Sequence, residues 1–200
     1  LELNHIMLKI AQEASKLPKL CPQFHISLQS GCDATLRRMN RRYTAEEYRR
    51  AVQSLREAFP GAAVTTDLMV GFPGETEEEF RQSMQFAKEI GFARMHVFPY
   101  SRRQGTRAAD MPEQVSETVK KQRAAQMQQV AETLHQQFCR QYIGRTVSVL
   151  AERGKEGIFE GHAENDMLVM IKSERALQGE IVQVRVTGMQ EGIFVGELLT

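Results

Sequence analysis

Glu75, Glu77, Glu78 and Glu79 crowd the exit of a glycine turn in the stretch VGFPGETEEEF, Val70 to Phe80. Gly71 and Gly74 let backbone come close to a ligand, as in the loops that cradle phosphate at a helix start. Carboxylates in that place repel phosphate and suit a cation, an ammonium group or ribose hydroxyls. Thr76 with Glu79 three residues on reads as a capping box, and acids in a first helical turn complement the helix dipole. That structural role accounts for Glu77, Glu78 and Glu79 and leaves Glu75, ahead of the cap, as the binding candidate. A second chemistry lies in the arginines. LRRMNRR carries Arg37, Arg38, Arg41 and Arg42, with Arg49 and Arg50 beyond, and SRRQGTR carries Arg102, Arg103 and Arg107. Two readings stay open for them, a solvated helix face and contact with an RNA backbone. His25, His96, His135 and His162 have no metal-ligand spacing to a partner and read as structural. Cys21, Cys32 and Cys139 form neither a disulfide framework nor a CxxC site and read as free thiols in a reducing compartment.

The elements that must position these residues alternate between strand and helix. FHISL (Phe24–Leu28) reads as a short strand, with a short helix around Asp33–Asn40. Thr44 and Glu47 form a second capping box opening an amphipathic helix with Tyr48, Val52, Leu55 and Phe59 on one face, ended by Pro60-Gly61. AAVTTDLMVGF (Ala62–Phe72) is apolar enough on both faces for a buried parallel strand. The helix capped by Thr76 stops at Gly91, and RMHVFPYS (Arg94–Ser101) is the next strand. Such an alternation gives a parallel sheet wound right-handedly. Its ligands gather at the strand C-termini, here QSGCD, GFPGETEE and PYSRRQGT. A long helix from about Ser116 carries an apolar stripe of Met127, Val130, Ala131, Leu134, Phe138 and Tyr142, read as core. Beyond Thr146 five short runs split by Gly, Asn and Asp predict a small antiparallel barrel of OB-like style. The domain boundary is expected near Tyr142–Arg145.

Two hundred residues, 42% hydrophobic and 26% charged, fit an ordinary globular chain of one or two domains. No run approaches a membrane span, and no signal peptide is visible. The opening LELNHIMLKIAQEASK reads as the interior of a helix, so a piece of something longer is expected. Residues 1–141 hold 20 Lys/Arg against 16 Asp/Glu, whereas residues 142–200 hold 6 against 9. That balance is no strong electrostatic signal for nucleic acid.

HISLQSGCDATLRRMNRRYTAEEY, TTDLMVGFPGETEEEF and HVFPYSRRQGT together resemble the radical S-adenosylmethionine methylthiotransferases, and the closing barrel resembles their TRAM domain. MNRRYTAEEY and HVFPYSRR are most similar to the branch acting on N6-threonylcarbamoyladenosine in tRNA. The branches acting on N6-isopentenyladenosine and on an aspartate of ribosomal protein S12 are the alternatives. The resemblance implies an α/β fold, a partial (β/α) radical-SAM barrel over residues 1–142 followed by a TRAM domain over 143–200. It implies a cytoplasmic, membrane-free enzyme whose full length holds two 4Fe–4S clusters, uses S-adenosylmethionine both as methyl donor and as radical source, and takes electrons from a flavodoxin or ferredoxin. It places the cofactor against Gln29, Ser30, Thr66, Gly71, Glu75, Tyr100 and Ser101, and tRNA against Arg38, Arg41, Arg42, Arg102 and Arg103. The catalytic residues stay unassigned. No CxxxCxxC occurs, so the resemblance puts the cluster ligands outside this chain, with no metal held here and no activity for the chain alone. Gln104 stands where the family's RPGT motif has proline. A non-catalytic RNA-binding piece is the alternative from another class, and a barrel acting on phosphorylated substrates is disfavoured by the acids after Gly74.

Overall fold

The computed structural model describes residues 9–199. The first eight residues of the expected N-terminal helix lie outside them, and residues 9–14 are helical. The chain divides into two compact units, one holding Phe24–Leu134 and the other continuing from His135.

The first unit alternates β1 (Gln23–His25), α1 (Asp33–Arg38), α2 (Ala45–Ala58), β2 (Ala63–Val70), α3 (Glu77–Ile90) and β3 (Arg94–Pro99), and α4 (Glu117–Arg140) follows a polar loop. The three strands form one sheet in the order β1-β2-β3. β2 and β3 run parallel, with Thr65 opposite Arg94, Asp67 opposite His96 and Val70 opposite Pro99. Both expected capping boxes are formed: Thr44 accepts from Glu47 N–H, Thr76 from Glu79 N–H, and each glutamate returns a bond to the cap's backbone. Gly91 ends α3 in the left-handed conformation that favours glycine. Arg56 donates to the Ile90 and Gly91 carbonyls at 2.6 and 2.7 Å, supplying partners the helix end lacks.

Apolar side chains from one face of the sheet meet the helices. Leu28, Val64, Leu68, Val70 and Met95 pack with Tyr48, Val52, Phe80, Phe86, Phe92, Met127 and Leu134 in one cluster. The other face differs from the expectation of a strand buried on both sides. Along β2, Thr65, Asp67 and Met69 are only half-buried while Val64, Thr66, Leu68 and Val70 are buried.

The strand expected over Phe24–Leu28 is regular only to His25, and the reason is local. Thr66 Oγ1 accepts the Leu28 N–H at 2.8 Å and donates to the Ile26 carbonyl at 2.7 Å, so a side chain replaces ladder bonds. Gln29 then turns at φ 65°, its N–H on Asp67 O and its carbonyl on Met69 N–H, both 2.9 Å.

The second unit is a closed barrel in the order β4-β5-β6-β8-β7, built from β4 (Thr146–Lys155), β5 (Ile158–Ala163), β6 (Leu168–Lys172), β7 (Ile181–Gln190) and β8 (Ile193–Leu198). Five strands cannot close a ring with every neighbour antiparallel, and the one parallel pair is β6 with β8. Inward residues alternate along the strands, with Val147, Val149, Val182, Val184 and Phe194 buried. Register shifts at Ala151/Arg153 and Val186/Gly188 supply the bends. Gly161 and Gly196 allow neighbouring backbone in: a Cβ on Gly161 would lie 2.0 Å from Leu150 O, and one on Gly196 2.9 Å from Arg185 O.

Candidate functional site

The strand ends of the first unit carry the candidate residues, and most are tied down by their neighbours. Gly71, at φ 72°, donates its N–H to Glu75 Oε1 at 2.9 Å. Arg123 of α4 donates to the same carboxylate oxygen at 2.8 Å and to the Glu75 carbonyl at 2.9 Å. Both side chains are almost fully buried, and the guanidinium lies over the Phe80 ring at 5.4 Å. Burial pushes the Glu75 carboxyl up, against the lowering effect of the Gly71 N–H and Arg123. Glu75 therefore staples the glycine turn to α4. A Cβ on Gly71 would meet Lys120 Cγ at 2.3 Å, so side-chain methylenes fill the space beside that glycine.

Lys120 Nζ donates to the Tyr100 carbonyl at 3.0 Å and lies over the Tyr100 ring at 5.6 Å. Tyr100 is buried against Phe72, with ring centroids 5.4 Å apart, and its hydroxyl has no partner among the described residues. Ser101 beside it is exposed. Gln29 and Ser30 are buried; Ser30 Oγ accepts the Cys32 N–H at 3.2 Å. Thr66 is committed to Ile26 and Leu28. Gly31 packs against Ser83 and Phe86, where a Cβ would lie 2.7 Å from Phe86 Cβ.

The five arginines divide. Arg38 donates to Glu79 through both terminal guanidinium nitrogens, one bond measuring 3.0 Å. Burial raises the Glu79 carboxyl, but the bonds from Arg38 and the Thr76 N–H outweigh it and hold the group below the usual carboxylate range. Arg41, Arg42, Arg102 and Arg103 are exposed.

Sequence reasoning missed Lys120 and Arg123, although the apolar stripe of α4 carried a signal for them. Continued upstream at helical spacing from Met127, it runs onto Arg123 and Lys120, two cations on a buried face. It also missed why two tyrosines flank TAEE. Tyr43 donates to the Ser27 and Leu28 carbonyls at 3.1 and 2.9 Å, and Tyr48 to the Ile26 carbonyl at 2.6 Å. Together they fix the irregular end of the first strand. Burial raises the Tyr48 hydroxyl well above its ordinary value, so it stays a donor. His25, read as structural, has ring nitrogens 3.0 Å from Thr65 Oγ1 and 3.2 Å from Ser27 Oγ.

A parallel sheet with polar loops at its strand ends, backed by helices on one side, is the architecture of a (β/α)-barrel segment. The family description that matches it is the radical SAM superfamily, over residues 1–87. Among curated relatives, the threonylcarbamoyladenosine tRNA methylthiotransferase MtaB of Bacillus subtilis is 37% identical over 191 residues, 93% of this chain and 42% of its own length. The tRNA-2-methylthio-N(6)-dimethylallyladenosine synthase of Symbiobacterium thermophilum is 36% identical over 194 residues, 96% of this chain and 41% of its own. The enzyme of the same name from Thermobifida fusca is 39% identical over 182 residues, 86% and 37%. The chain is similar to the radical SAM methylthiotransferases over most of its own length, and it spans about two fifths of the length of these relatives.

Proposed function

We propose that this chain is part of a tRNA methylthiotransferase that places a methylthio group on C2 of N6-threonylcarbamoyladenosine beside the anticodon. In this reading residues 1–142 are the C-terminal part of the radical-SAM barrel domain and residues 143–200 a TRAM domain. The observation that carries it is the alignment of 93% of the chain with a relative of that name, together with strand-end loops whose free groups are hydroxyls and arginines. A dimethylallyladenosine substrate is the second reading, favoured by relatives of comparable identity.

The residues at the strand ends fit S-adenosylmethionine in their chemistry. The orphaned, buried Tyr100 hydroxyl and the exposed Ser101 beside it are oxygens that a ribose or an ammonium group can meet. In this reading Gln29 and Ser30, buried at the end of the first strand, contribute the cofactor wall on the far side of β2. Thr66, Gly71 and Glu75 serve by holding backbone in place. Bound there, the cofactor supplies radical chemistry at a C–H bond too weakly acidic for any side-chain base. Iron–sulfur clusters fit this chain poorly: among the described residues no three His, Cys, Asp or Glu side chains group as metal ligands. Arg41, Arg42, Arg102 and Arg103 have the exposure that phosphate contacts require, while Arg38 is spent on Glu79. No helix among the described residues is long and apolar enough to cross a membrane; in this reading the whole enzyme is cytoplasmic and takes electrons from a flavodoxin or ferredoxin.

The test is anaerobic reconstitution of the full-length protein with iron, sulfide and S-adenosylmethionine under a strong reductant. Formation of 5′-deoxyadenosine is expected; none from a cluster-loaded protein contradicts the reading.

A further inference from the structure

The inward face of a closed (β/α) barrel is as a rule bulky and apolar, because those side chains fill the interior. The sheet face turned away from the helices breaks that rule. Two rows of its side chains run across three strands, His25, Thr65 and Arg94 in one, Ser27, Asp67 and His96 in the next, and the row beyond them, toward the strand C-termini, is apolar, with Met69 opposite Phe98. Two rows and three strands cover roughly 7 by 10 Å. The Ser27 hydroxyl donates to Asp67 Oδ2 at 3.3 Å, and His25 Nε2 lies 3.4 Å from the same oxygen. The first strand is pinned from behind, where Tyr43 and Tyr48 bond the carbonyls of Ile26, Ser27 and Leu28. Arg94 and His96 stand exposed on the third strand. The patch is therefore preorganised, polar, and rich in both donors and acceptors.

The two substituents named among the relatives make opposite demands on such a surface. A dimethylallyl group is pure hydrocarbon; laid here, it would strip water from Asp67 and His96 and return no hydrogen bond. A threonylcarbamoyl group carries a carboxylate, a hydroxyl and urea N–H groups, and can replace every hydrogen bond it displaces. Resting on the reading of the chain as part of a tRNA methylthiotransferase, we propose that this face receives the threonylcarbamoyl substituent of the target adenosine. Asp67 and Ser27 take its donors, Arg94 and His96 its carboxylate. These residues are then the ones that discriminate against an isoprenoid substituent.

The test uses the full-length protein and three anticodon stem-loop RNAs, bearing threonylcarbamoyladenosine, dimethylallyladenosine or plain adenosine at the target position, with Kd read by fluorescence anisotropy. The wild type is expected to favour the threonylcarbamoyl RNA over the dimethylallyl RNA by about tenfold or more, since unpaired buried polar groups penalise the wrong ligand heavily. Asp67→Leu and His96→Leu should each erase most of that ratio, affinity for the threonylcarbamoyl RNA falling more than affinity for the plain RNA; His96, exposed, carries the test if the Asp67 variant fails to fold. A wild type that ranks the modified RNAs equally or in reverse overturns the proposal and leaves the tRNA reading standing, as do variants that keep the full ratio. Failure to bind any of the three RNAs overturns both.

Discussion

Replacing Arg123 with alanine isolates the interaction that holds the glycine turn. The substitution deletes two hydrogen bonds to Glu75, at 2.8 and 2.9 Å, and leaves its carboxylate, 2% exposed, with one remaining bond from Gly71 N–H. Removing one partner of a buried ion pair costs about 3–5 kcal/mol, because the other charge is left without compensation. The same carboxyl offers a way out by taking up a proton. Its folded pKa lies above the ordinary 4.5, so the folded state binds a proton that the unfolded state has released. Stability from this group is then highest at low pH and declines as pH rises through the folded value. Loss of Arg123 removes a lowering influence and pushes that value further up. The deficit of the variant should be near its full size at pH 8 and shrink on acidification to pH 5. Glu75→Gln in the Arg123→Ala background should recover much of the loss and abolish its pH dependence. Urea titrations at both pH values, read by hydrogen exchange of the amides of the turn and of α3, measure this. A cost below about 1 kcal/mol at pH 8, or one that does not change with pH, would refute the reasoning.

Three further outcomes are expected. Gly71→Ala places a Cβ 2.3 Å from Lys120 Cγ at φ 72°, and should destabilise the first unit by about 1–3 kcal/mol, with Lys120→Ala restoring only the steric part in a chemical denaturation series. Gly161→Ala meets a backbone oxygen at 2.0 Å, which cannot rotate away; the barrel should lose about 3 kcal/mol or more, seen as loss of its cooperative thermal transition. Arg41→Ala, Arg42→Ala, Arg102→Ala and Arg103→Ala should leave stability unchanged and each lower the salt slope of tRNA binding by about 1. Arg38→Ala, by freeing Glu79, should destabilise the fold without a comparable change in slope.

Those features written within a few residues of one another were legible in the sequence. Thr44 with Glu47 and Thr76 with Glu79 gave both helix starts, and Gly91 the end of α3, because caps are local chemistry. The alternation of strand and helix gave the wound sheet, and five short runs gave the barrel, though the parallel pairing of β6 with β8 follows only from closing an odd ring. What could not be read depends on partners far apart in the chain. Glu75 has the local look of a ligand, and its partner Arg123 is 48 residues away. Asp67 sits in an apolar-looking run, and its meaning appears only when Ser27 and His25, 40 residues or more before it, are brought alongside. Of the five arginines proposed for RNA, Arg38 is the one whose fate was decided by such a distant partner, Glu79.

The most direct test of the central claim is mass spectrometry of tRNA nucleosides from a strain lacking the full-length gene, with and without a plasmid carrying it. The account expects 2-methylthio-N6-threonylcarbamoyladenosine to vanish on deletion and return with the plasmid, while N6-threonylcarbamoyladenosine accumulates in the deletion strain. An unchanged level of that nucleoside would contradict the proposed substrate, and loss of the methylthio-isopentenyl nucleoside instead would assign the protein to the other branch.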